Sequence, residues 1–114
     1  WVQYGFDAPV HIRGMRFVFD SDLNRDGPHP CHRNIYCSFP RQIEPRCPPA
    51  ALVHAFRIEA LGADGGWSTV TRVESNHQRL VRLEMDVRTT AVRFVPEAAW
   101  GSDRVRVFAW DVMA

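Results

Sequence analysis

Asp20, Asp22, Asn24 and Asp26 place oxygen-bearing side chains at every second position near the end of an apolar run. Hard oxygen donors suit calcium, and Asp22-Leu23-Asn24-Arg25-Asp26-Gly27 matches the opening of a D-x-[DN]-x-[DN]-G loop. Arg33 stands where that loop requires a bidentate glutamate, so an EF-hand is excluded and a calcium site here needs ligands from another loop. The competing reading is a polar strand end whose side chains bond nearby backbone amides. His29, Cys31, His32, Cys37 and Cys47 offer softer donors for zinc, but C-x5-C-x9-C lacks the close cysteine pair of structural zinc sites. Loop packing or one disulfide accounts for these cysteines better, and an odd number leaves the compartment open.

No G-x-S-x-G elbow, no H-E-x-x-H and no spacing that sets a nucleophile beside a base occurs in the chain. An independent active site is therefore not expected. Ligand binding is a better use of the aromatic residues, because an indole or phenol ring can cover the apolar face of a sugar while neighbouring polar groups bond its hydroxyls. Trp100, in Ala98-Ala99-Trp100-Gly101-Ser102, and Tyr36 are candidates, with Asn76, His77, Gln78 and Arg79 as polar partners from another loop. Trp67 follows Gly65-Gly66 at a strand start and is expected to pack at the core or an edge.

The elements that must position these groups are strands. About seven period-2 runs appear, near residues 1–6, 10–20, 53–61, 66–74, 79–86, 89–96 and 104–112, with turn signals between them. Met15, Phe17 and Phe19 oppose Arg16 and Val18; Phe56, Ile58 and Ala60 oppose Arg57 and Glu59; Val81, Leu83 and Met85 oppose Arg82 and Glu84. The last run is apolar on both faces, which predicts a central position. Residues 21–49, rich in proline and holding all three cysteines, interrupt the rhythm as an irregular insert where any metal chemistry is expected.

At 114 residues with a formal charge of +1, the chain is expected to be one domain, 1–114, with interspersed charges that argue against nucleic-acid binding. No apolar run is long enough for a helical membrane span. The chain starts inside a strand-like segment without a signal peptide, as a piece of a longer protein would.

The segment from Trp1 through Val10, followed by Ile12-Arg13-Gly14-Met15-Arg16-Phe17, resembles the galactose-binding-domain-like superfamily of discoidin and coagulation factor 5/8 type C domains. Phe56-Arg57-Ile58-Glu59, Gly66-Trp67-Ser68-Thr69-Val70, Thr90-Ala91-Val92-Arg93-Phe94-Val95 and the closing Trp110-Asp111-Val112 follow in the family's order. The resemblance implies an all-β fold, an antiparallel β-sandwich of jelly-roll type. It also implies a non-catalytic accessory module binding carbohydrate or another surface ligand through loops at one end, residues 20–49, 75–79 and 97–103. Phe17 through Asn24, Pro48 through Phe56 and Ser75 through Val81 are more narrowly similar to the C-terminal sandwich domain of bacterial FAD-dependent oxidoreductases. In that alternative the domain is structural, its partner is the catalytic domain of its own chain, and FAD belongs to the parent's Rossmann domain. A second alternative is a metal-dependent site in the 20–47 insert.

Overall fold

Alternating residues in β1 (Val2–Phe19), β2 (Val53–Leu61), β3 (Trp67–Val73), β4 (Leu80–Ala99) and β5 (Val107–Met113) give one antiparallel sheet, ordered β3-β2-β4-β1-β5. The structure is a computed structural model that describes residues 1–21 and 48–114. The described residues contain no helix.

The sheet folds onto itself. Phe17 pairs with Val81 on β4, and Phe94 lies 13 residues farther along (94 − 81), a span of roughly 43 Å in a straight strand. The Phe17 and Phe94 rings are nevertheless 5.1 Å apart between centroids. Likewise, Trp110 pairs with Phe17 on β1, yet the distant Tyr4 ring lies 4.7 Å from it and the Tyr4 hydroxyl donates to the Trp110 carbonyl at 2.9 Å. The two long strands therefore cross from one layer to the other, and the expected sandwich is built from a continuous sheet. One layer holds β3, β2, the end of β4 and the start of β1. The other holds the start of β4, the end of β1 and β5.

The crossing explains why five strands replace the seven predicted runs. Between the Gly5–Ala91 and Val10–Thr89 pairs, Phe6 to Pro9 bulge out opposite Thr90 alone, so a break in alternation marks a bend within β1. The buried Thr89 hydroxyl fixes this corner: it lies 2.9 Å from the carbonyls of Leu61 and Ala91 and accepts the Ala91 N–H at 3.1 Å.

Met15, Phe17 and Phe19 from one layer meet Phe56, Ile58 and Phe94 from the other, as the alternation predicted, with Leu83 packed at the margin. Ring separations of 5.4 Å for Phe19–Phe56 and 5.6 Å for Phe17–Phe56 give the tilted contacts that aromatic quadrupoles favour. The β2–β3 hairpin closes with Gly62 N–H donating to the Gly66 carbonyl at 2.7 Å and Gly65 at φ 82°. Asp64 accepts the Gly66 N–H at 3.0 Å, a local bond typical of an Asx turn.

The position predicted for the last strand is corrected. β5 lies at an edge, and Phe108 is 61% exposed. The pairing jumps from Val18–Ala109 to Phe19–Val107, leaving Phe108 as an extra residue that reverses the parity. A bulge thus makes a one-sided strand look apolar on both faces.

Candidate functional site

At one end of the sandwich the chain before β2, the turn after β3 and the bend after β4 are bonded into a single rim. Trp100 N–H donates to the Leu52 carbonyl at 3.1 Å, Gly101 N–H to Ala50 at 3.0 Å and Asn76 N–H to His54 at 2.8 Å. Gly101 permits this approach, since a Cβ there would lie 3.3 Å from the Ala50 Cβ. Trp100 completes the rim: its Nε1–H donates to the Asn76 carbonyl at 2.7 Å, and its ring packs on His54 with centroids 4.2 Å apart. Trp100 remains 38% exposed as a residue although its N–H is anchored.

The candidate polar residues divide. Asn76 is 6% exposed; its Nδ2 donates to Val53 at 2.8 Å and to Gln78 at 3.0 Å, and its Oδ1 accepts the Gln78 N–H at 3.0 Å. Its amide is committed to the scaffold. His77, Gln78 and Arg79 are exposed on the same turn. The Arg79 guanidinium, however, lies 5.7 Å from the centroid of Phe108, while its carbonyl accepts the Phe19 N–H at 2.8 Å. Tyr36 lies outside the described residues. His54 was not singled out in the sequence; its signal was a polar ring at the same even parity as the core residues Phe56 and Ile58.

Of the calcium candidates, Asp22, Asn24 and Asp26 lie outside the described residues, as do the candidate zinc ligands. Asp20 is buried, with its Oδ2 3.5 Å from Arg106, a cation already placed where a metal would compete. Among the described residues no group of three His, Cys, Asp or Glu side chains is arranged to hold a metal. His11 Nε2 meets Asp86 at 2.5 Å on the surface, and among the described residues no hydroxyl or thiol bonds to that imidazole.

Two further clusters occupy the outer face of the β3-β2-β4 layer. Glu97 accepts from Arg57 at 2.7 Å and from Arg72 at 2.9 Å, while Arg57 also reaches Glu59 at 2.8 Å. The Arg57 hydrogen bond chiefly holds the Glu97 carboxyl below the usual carboxylate range, and Glu97 in turn raises Arg57. Beside them, the Arg93 guanidinium lies 3.7 Å from the centroid of Trp67 and 4.3 Å from that of Trp1, with its Nε donating to Gln3 at 2.9 Å. Trp67 is therefore an edge residue stacked on a cation, not a core residue.

No protein-family model and no curated protein sequence matches this chain. The fold is that of a solved carbohydrate-binding module. It superposes on the family 32 carbohydrate-binding module from Streptococcus pneumoniae EndoD with a TM-score of 0.68, covering 98% of this chain and 67% of that one at 12% identity. At that identity the likeness establishes the all-β sandwich architecture.

Proposed function

We propose that this domain is a non-catalytic accessory module that binds carbohydrate through the rim at the Trp100 end of the sandwich. The carrying observation is the mounting of Trp100: an exposed ring braced by His54 and tied by its N–H to the scaffold. An indole so fixed offers an apolar plate to a pyranose with little ordering cost, and His77 and Gln78 stand nearby as hydroxyl partners. The solved module of like fold is named for carbohydrate binding, which supports the reading. A shallow rim with one plate gives weak affinity, with dissociation constants of about 0.1 to several mM. Titration of neutral oligosaccharides followed by the Trp100 indole N–H signal tests it; absence of any shift at Trp100, His77 and Gln78 across a broad glycan panel refutes it.

A second reading rests on Leu80, Phe108 and Met113, exposed apolar residues of β4 and β5. They suit a structural domain packed on the catalytic part of a longer chain, such as an FAD-dependent oxidoreductase. Protection of Phe108 in a longer natural chain, without glycan binding, favours it.

A further inference from the structure

Four arginines held in place by the fold are held by carboxylates: Arg16 by Asp111, Arg57 by Glu59 and Glu97, Arg72 by Glu97, and Arg106 by Asp20. Arg93 is held otherwise. Two indole rings and the Gln3 side-chain oxygen position it, and no carboxylate lies within ion-pair distance among the described residues. Glu59 is its register partner across β2 and β4, but the Glu59 carboxylate is turned onto Arg57 at 2.8 Å. With Nε bonded to Gln3, the terminal nitrogens of Arg93 retain their N–H donors, and a planar guanidinium offers these in the parallel pair that a carboxylate accepts. Stacking has already restricted the side chain, so engaging an anion costs little further ordering.

We propose that this face carries a second ligand site, apart from the Trp100 rim, which takes the carboxylate of an acidic sugar. The carboxylate sits on the Arg93 terminal nitrogens, and the apolar face of the attached pyranose lies on an indole edge or face. Trp1, 70% exposed, provides the accessible aromatic surface. An aspartate or glutamate side chain would engage the guanidinium and leave the indoles uncovered, whereas a uronic acid satisfies both. The site goes beyond the rim proposal, and each can fail without the other.

The test compares trigalacturonic acid with its fully methyl-esterified form, which has the same rings without the charge, by following the four indole N–H signals of the 114-residue chain. The acid is expected to shift Trp67 and Trp1 while the Trp100 signal stays in place, and the ester to shift neither. Arg93→Gln is expected to weaken acid binding at least about tenfold, the scale of a lost charge-assisted pair. Arg93→Lys keeps the charge and guards against a folding defect; it too is expected to bind weakly, because an ammonium cannot make the paired contact. No shift at Trp67, equal shifts with the ester, or undiminished binding by both folded variants overturns the proposal. Shifts produced by oligoglutamate and not by trigalacturonate overturn it in favour of an acidic protein partner.

Discussion

Trp100 and Asn76 divide the labour of the rim: one faces outward because the other is spent inward. Trp100→Ala is expected to reduce affinity for neutral glycans at least about tenfold by titration calorimetry or NMR, the scale of a lost aromatic platform. Asn76→Ala is expected to cost about 1–3 kcal/mol in chemical denaturation, because buried backbone groups lose their partners. The loops carrying Trp100 and Asn76 were legible from their sequence neighbours. The scaffold role of Asn76 was not, since it depends on the carbonyls of Val53 and His54, more than twenty residues earlier. Glu97 belongs to the same scale. Its carboxyl is held below the ordinary value of about 4.3, so its contribution to stability is present above that pH and is lost as pH falls through the lower folded value. Glu97→Gln should therefore melt below wild type at neutral pH, and the two midpoints should converge as acidification carries the pH down through the lowered folded value.

At the element scale, alternation revealed the core faces of β1, β2 and β4 because each strand has one wet side over most of its length. It failed where the backbone inserts residues: Phe6–Pro9 concealed that two runs are one strand, and Phe108 disguised an edge strand as a central one. A bulge changes parity without leaving a dependable mark in residue type, whereas the Asp64-Gly65-Gly66 turn was readable because a positive φ favours glycine. Gly65→Ala should accordingly destabilise the hairpin by about 1–2 kcal/mol, measured by denaturant titration. Phe56→Ala or Phe94→Ala, each removing a ring shared by both layers, should cost about 3–5 kcal/mol in the same measurement.

For the whole molecule, sheet order and layer crossing had to come from the structure, because pairing partners far apart in sequence leave no local periodic signal. The continuity of the sheet has a consequence for how the domain comes apart. β1 and β4 each serve both layers, so neither layer owns a complete set of strands and neither can open while the other stays intact. Amide hydrogen exchange should therefore report one cooperative unit, with the amides of Ile58 and Phe17 exchanging through the same global opening despite lying in opposite layers. Such a domain has no half-folded resting state. It is expected to assemble its distant pairings together, slowly for its size, and its described strands should yield to a protease only when the sheet opens as a whole.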